Sequence, residues 1–392
     1  MRVALVHDWL TGMRGGERVL DVLATLFPDA ELFTLIHVPG STSPAIERLR
    51  IHASPLSALP GAARHYRKLL PLFPWAIERF RLEGFDLVLS THHAVAKGVR
   101  TAPGTKHLCY CFTPMRYVWD QTDTYLGRGL YRKLATPLVQ QLRRFDVRTS
   151  VPAHVSRFVA ISRTVAARIE RHYQRRASLV YPPVDVTRIR PNGKPPQDFY
   201  LLVGGFVPYK REEIAIEAFR DLGRRLVVAG DGPSRRALAA AAPPNVEFTG
   251  RVSDAELADL YAHCRALIYP QEEDFGIVAV EAQAAGRPVV AFGRGGAAET
   301  VVPLAVGGGE SPSAGESAAT GIFFDEQSPA ALVAAVRRFE TEEARFDAAA
   351  IRCHAECFAV PRFCDEIRAE IDRCLAGEGD PARWKASSGG RA

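Results

Sequence analysis

Two carboxylates eight residues apart, Glu273 and Glu281, bracket the small and apolar run Asp274-Phe275-Gly276-Ile277-Val278-Ala279-Val280. Tyr269-Pro270 reads as a strand end, 271–275 as a loop, and 276–285 as a helix stopped by Gly286. Glu273 then sits in the loop at the carboxyl edge of a sheet, and Glu281 one to two turns into the helix. Amides near Gly276 and Ile277 open toward the same space as Glu273. Carboxylates and amides together suit sugar hydroxyls, which both donate and accept. The plainer alternative is two unrelated surface acids, which leaves the apolar run beside Glu281 unexplained.

Other segments suit phosphate. Val203-Gly204-Gly205-Phe206-Val207-Pro208-Tyr209-Lys210-Arg211 follows a strand and opens a helix, and its adjacent cations suit a diphosphate. A solvated basic turn is the alternative. Thr11-Gly12-Met13-Arg14-Gly15-Gly16-Glu17-Arg18 has the same placement, and Gly15 and Gly16 let backbone amides approach an anion. A tight strand-to-helix turn explains it equally well. Gly230-Asp231-Gly232-Pro233 reads as a structural turn, and Gly293-Arg294-Gly295-Gly296 as a glycine turn able to offer amides to phosphate. Arg251, just past a strand at 246–248, joins the candidate donor-binding residues.

These segments need a scaffold of strand exits. Apolar runs at 3–6, 31–36, 85–89, 107–111 and 158–161 read as buried parallel strands, with helices at 17–26, 69–81 and 162–172. Two proline clusters at about 182–197 predict a linker. Strands then resume at 200–203, 225–229, 246–248, 266–269, 288–291 and 321–324, with helices such as 212–222 and 254–263. This is an α/β chain of two doubly wound halves, with ligands expected beyond the carboxyl ends of the strands and in a cleft between the halves. Residues 307–320 read as a loop, and 377–392 as a disordered tail.

The 392 residues suit two domains, and 47% apolar residues suffice for buried cores. A net charge of +6 fits nucleic acid, a membrane surface or a phosphorylated ligand alike. No nucleic-acid motif accompanies the scattered cations. Seven cysteines without metal-ligand spacing predict reduced thiols in a cytoplasmic protein, and neither a leader nor a membrane span is expected.

In this order, Gly15-Gly16-Glu17, Val207-Pro208-Tyr209-Lys210-Arg211, Gly230-Asp231-Gly232-Pro233, Glu273 with Glu281, and Gly295-Gly296-x-x-Glu299 resemble glycosyltransferase family 4. These are retaining enzymes of the GT-B fold. His7-Asp8-Trp9-Leu10-Thr11-Gly12 and Cys109-Tyr110-Cys111-x-Thr113-Pro114-Met115-Arg116-Tyr117-x-Trp119-Asp120 look like its O-antigen mannosyltransferase branch. The likeness runs from residue 1 to about 375. It implies two Rossmann-like doubly wound domains facing each other across a cleft, an acceptor-binding one at 1–185 and a donor-binding one at 198–360. A last helix at 361–375 would cross back to the first domain.

The resemblance also implies roles. Glu273, with Asp274 and the amides of Phe275, Gly276 and Ile277, would hold the donor sugar, and Glu281 the ribose. Lys210 would neutralise the diphosphate, helped by the Gly16 amide, and Gly15, Gly205 and Arg211 join the donor-binding set. No cofactor or metal is expected, because protein cations and helix dipoles stabilise the leaving phosphate. Two departures stand out. Gly205 replaces a common Arg, and Phe112 replaces a His near the reacting sugar. His93 is the nearest substitute, which makes the catalytic set Glu273, Lys210 and His93.

The implied activity is hexose transfer, from GDP-mannose first and UDP-glucose second, to a glycan or lipid-linked acceptor in surface polysaccharide synthesis. A sugar-nucleotide epimerase would want acid/base residues in both halves, and no matching pair is evident. A nucleotide-sugar-binding protein of weak turnover is the non-enzymatic alternative. Residues 64–81 carry five Arg or Lys against one acid, and 128–148 six against one, each mixed with apolar residues. Such helices suit either an anionic membrane surface or a solvated face.

Overall fold

The structure is a computed structural model and describes residues 1–120, 130–305 and 318–381. The loop expected at 307–320 and the tail expected at 377–392 therefore lie largely outside the described residues. The chain forms two compact units, residues 1–183 with 363–392, and residues 184–362. Each is built on its own sheet.

In the first unit the strands are β1 (Val3–Leu10), β2 (Glu31–His37), β3 (Arg50–Ala53), β4 (Arg81–Leu82), β5 (Leu87–His92), β6 (Arg100–Thr101), β7 (Lys106–Cys111), β8 (Arg157–Ala160) and β9 (Ala177–Leu179). Seven form a parallel sheet in the order β3-β2-β1-β5-β7-β8-β9, and β4 pairs with β6 apart from it. All eight residues of β1 are buried, as expected of a strand covered on both faces. Chain direction through the sheet reverses between β1 and β5, and crevices at the carboxyl ends of such strands are where ligands bind.

In the second unit the strands are β10 (Tyr200–Gly204), β11 (Leu226–Gly230), β12 (Val246–Gly250), β13 (Leu267–Tyr269), β14 (Val289–Phe292) and β15 (Gly321–Phe324). They form a parallel sheet in the order β12-β11-β10-β13-β14-β15, with the switch between β10 and β13. Its core joins Tyr200, Leu202, Ile268, Val290 and Ile322 to Phe219 and Phe339 from the covering helices. These parallel sheets agree with the doubly wound α/β class expected from the sequence.

Two elements differ from expectation. The helix expected at 69–81 is instead a chain of short pieces, a 3-10 run Tyr66–Leu72 and a helix Phe73–Ile77, with Arg81 in β4. Pro71 and Pro74 explain the break, since each lacks the N–H that a continuous helix would use. The proline-rich stretch at 182–197 is more than a spacer. From Val184 onward it belongs to the second unit, where Val184 bridges to Ala359. The last helix spans Val360–Leu375, and its residues from Phe363 on fall in the first unit. There Glu370 pairs with Arg157 at 2.6 Å.

Candidate functional site

In the second unit the chain leaves β10 at Gly204 and turns through Gly205 and Phe206 into a 3-10 turn, Pro208–Lys210. Arg211 then caps the helix Glu212–Leu222. Phe206 (φ 35°) and Arg211 (φ 57°) both occupy the left-handed region, at a cost of order 1–3 kcal/mol each. The neighbouring turn over-determines this path. A Cβ on Gly230 would lie 1.9 Å from the Gly204 carbonyl oxygen, and one on Gly232 would lie 2.1 Å from that of Gly205. The segment read as a structural turn thus braces the phosphate-suited loop, and only glycine fits there.

This loop delivers Lys210 to the loop that follows β13. Lys210 Nζ lies 3.0 Å from Glu273 Oε1, and the Tyr269 hydroxyl donates to Glu273 Oε2 at 2.7 Å. Burial pulls the Lys210 ammonium down most strongly, but Glu273, Tyr209 and Glu212 together hold the group above its usual value. Gly276 (φ 88°) starts the helix Ile277–Ala284, and a Cβ there would stand 2.6 Å from the Tyr269 hydroxyl oxygen. Phe275 is buried against Phe358, which fixes the loop from below, while Asp274 and Ile277 stay half-buried.

The Gly293-Arg294-Gly295-Gly296 turn has a packing role that its sequence did not announce. Its Gly296 amide donates to the Glu273 carbonyl at 2.7 Å, and a Cβ there would meet the Phe275 carbonyl oxygen at 2.2 Å. That amide is spent on bracing the Glu273 loop and is not offered to phosphate. Arg211 also turns aside, since its Nε donates to Glu213 at 2.6 Å. Arg251 is exposed and has no partner among the described residues.

Glu281 is 6% exposed one turn into its helix. Its Oε1 lies 3.1 Å from Arg188 Nη2, and its Oε2 accepts from the Tyr261 hydroxyl at 3.0 Å. Arg188 is set by Asp185, whose Oδ1 accepts from the Thr187 and Arg188 amides and the Thr187 hydroxyl. Sequence reasoning missed Arg188, Tyr261 and Tyr269. For Arg188 a signal existed, since an Asp two or three residues ahead of its partners is the pattern of an Asx turn.

Gly15, Gly16 and His93 belong to the first unit and are described within it. Gly15 and Gly16 open the helix Gly15–Leu26, where Glu17 bonds back to the Arg14 amide at 3.1 Å. A Cβ on Gly16 would stand 3.3 Å from the Phe112 ring, so Phe112 fills the space beside this turn. His93 follows β5. Its Nδ1 lies 3.1 Å from Oδ2 of Asp8, which is fully buried. Asp8 also accepts the amides of His93, Ala94, Val95 and Ala96 at 2.7–2.9 Å. Burial raises the Asp8 carboxyl, but His93, His92 and these amides together hold it below its usual value. Burial likewise lowers His93 against the pull of Asp8, which favours a neutral ring at pH 7. His93 is thus a histidine oriented by a fixed carboxylate, its ring edge-on to Trp9 at 4.4 Å.

Residues 13–188 match the family described as Glycosyltransferase Family 4, and residues 186–352 match Glycosyl transferases group 1. A GDP-mannose-dependent alpha-mannosyltransferase of Mycolicibacterium smegmatis is 34% identical over 188 residues, 47% of this chain and 45% of that protein. A D-inositol 3-phosphate glycosyltransferase of Streptomyces avermitilis is 31% identical over 245 residues, 53% of this chain and 50% of that protein. The matches thus span about half the length of these curated relatives. The crystal structure of Anabaena HepE in complex with UDP-glucose shares the fold, with a TM-score of 0.65 at 14% identity, covering 95% of this chain and all of that one.

Proposed function

We propose that this chain, which belongs to glycosyltransferase family 4 and has the GT-B fold, transfers a hexose from a nucleoside diphosphate sugar with retention at the anomeric carbon. GDP-mannose is the donor we favour, on the identity to a GDP-mannose-dependent relative. The acceptor is a glycan or lipid-linked glycan of surface polysaccharide synthesis. The observation that carries the reading is the Lys210–Glu273 pair at the switch of the second sheet, beside the start of the helix Ile277–Ala284.

In this reading the Lys210 ammonium lies against the diphosphate, where negative charge grows as the glycosidic bond breaks. Glu273, held by Tyr269, and the amides at Phe275–Ile277 hold the sugar hydroxyls. Glu281, fixed by Arg188 and Tyr261, holds the ribose. The leaving phosphate oxygen takes the acceptor proton, so the new bond forms on the face from which the old one departs. His93, oriented by Asp8, serves the acceptor. Lys210 and the helix dipole supply the charge stabilisation, so the reaction requires no metal or cofactor.

Glu273→Ala tests this directly. Transfer should fall by about two to three orders of magnitude, the scale lost when one preorganised transition-state contact is removed. Wild-type transfer in that variant would end the assignment. A thermal-shift series with GDP, UDP, ADP and their sugars identifies the donor, since selective binding raises stability by mass action.

We place the protein at the cytoplasmic face of a membrane, as a peripheral partner. No helix among the described residues is long and apolar enough to cross one. Leu59, Leu72 and Trp75 are 43%, 46% and 49% exposed, beside exposed Arg64, Arg67, Lys68 and Arg79. Apolar tips among cations suit an anionic lipid surface. Replacing Arg64, Arg67 and Lys68 by Glu should abolish flotation with anionic vesicles, and unchanged flotation would remove this face from the contact.

A further inference from the structure

Glu212 lies at the turn where the donor diphosphate is assigned, and no step above uses it. It is the first residue of the helix Glu212–Leu222 and is 2% exposed. Its Oε1 is buried and has no hydrogen-bond partner among the described residues. A Cβ on Gly204 would stand 3.0 Å from that oxygen, so the carboxyl lies against the backbone of the Gly204–Gly205 turn. The charged groups about it are Lys210, Glu213 and Glu273. Two of the three are acids, and the cation among them, Lys210, is already matched to Glu273 at 3.0 Å. An ionised carboxylate in that position has lost water without gaining a full set of donors.

We propose that Glu212 is a positioning residue for the donor diphosphate and carries a proton when that diphosphate is bound. This rests on the assignment of a nucleotide-sugar diphosphate to the turn. Burial already pushes the carboxyl up to about 7, against the pull of its own backbone amide and of Lys210. The diphosphate brings further negative charge to the same turn, which disfavours the ionised form and draws a proton from solvent. Once protonated, Glu212 leaves the Lys210 charge to the phosphates. Its hydroxyl also becomes a donor, where the carboxylate could only accept.

The test is calorimetric titration of GDP-mannose and UDP-glucose into the full chain at pH 7.5, in buffers of different ionisation enthalpy. The phosphodiester groups of these probes do not titrate in this range, and Lys210 stays charged through it. The wild-type chain should take up a substantial fraction of one proton per donor bound. Its affinity should weaken by roughly tenfold per pH unit above 7. Glu212→Gln keeps the shape and a donor without a charge, so it should bind with no proton uptake and with equal affinity at pH 6.5 and 8.5. Binding to the wild-type chain without proton uptake would overturn the proposal alone, as would an unaltered pH profile in Glu212→Gln. Failure of both probes to bind the wild-type chain would overturn the donor-site assignment and this proposal with it.

Discussion

Asp146 in the first unit and Glu273 in the second each face a lysine, at 2.8 Å and 3.0 Å, and differ in what surrounds the pair. Asp146 and Lys97 are fully buried. The Asp146 carboxylate also accepts from the Trp119 indole N–H at 2.8 Å and the Tyr173 hydroxyl at 2.9 Å. Lys97 donates further to the Asp146 carbonyl at 2.6 Å and the Thr149 hydroxyl at 2.8 Å. Beside them His92 is pushed down to about 3, by burial first and by Lys97 next. Glu273 and Lys210 keep 20% and 16% of their side chains exposed, at the carboxyl ends of parallel strands. The first arrangement is closed, with its charges satisfied from within. The second is open and retains capacity for a charged ligand. Charge pairs of nearly equal length therefore differ in access: one is closed to solvent, and the other has the opening that the proposed recognition of a donor requires.

Asp146→Ala breaks this comparison hardest. It leaves Lys97 buried without its carboxylate, and loss of one partner of a buried pair costs about 3–5 kcal/mol. Urea unfolding should show the midpoint displaced to match, with the slope unchanged. Glu273→Ala should cost no more than about 1 kcal/mol by the same measurement, because water reaches both partners. A stability loss of equal size in the two variants would erase the distinction.

Much of this was legible in the sequence. Short apolar runs and glycine exits placed the strands that lead into the segments bearing Lys210, Glu273 and Glu281, since buried parallel strands read as continuous apolar segments. The broken helices at 66–77 were missed because the apolar pattern there has helical spacing, while Pro71 and Pro74 decide where hydrogen bonds end. Pairings across long separations left no local mark. Arg188 meets Glu281 across 93 residues, and Asp8 meets the amides after β5 across 85 or more. Glu212 opens the helix expected at 212–222, and nothing in the local sequence marks its burial beside the turn at Gly204. The bracing role of Gly296 was hidden for a related reason. A glycine needed for close backbone packing and one needed for anion approach look the same in a sequence.

The smallest expected effect sharpens the comparison within the second unit. Glu281 is nearly as buried as the closed network, yet it sits in the site, held by Arg188 and Tyr261. If it binds ribose, Glu281→Gln keeps its shape and exchanges a charged acceptor for a neutral one. Donor affinity should then weaken by about tenfold, the scale of one hydrogen bond to a charged group. If it serves architecture alone, affinity should hold and stability should fall. Arg188→Ala separates the two further, because in the proposed reading Arg188 acts on the ribose through Glu281. In a double-mutant cycle the two losses of donor affinity should fail to add, with a coupling of about 0.5–3 kcal/mol. Additive losses would mean that Arg188 meets the donor on its own account, and Glu281 would lose its fixed orientation as the reason for its burial.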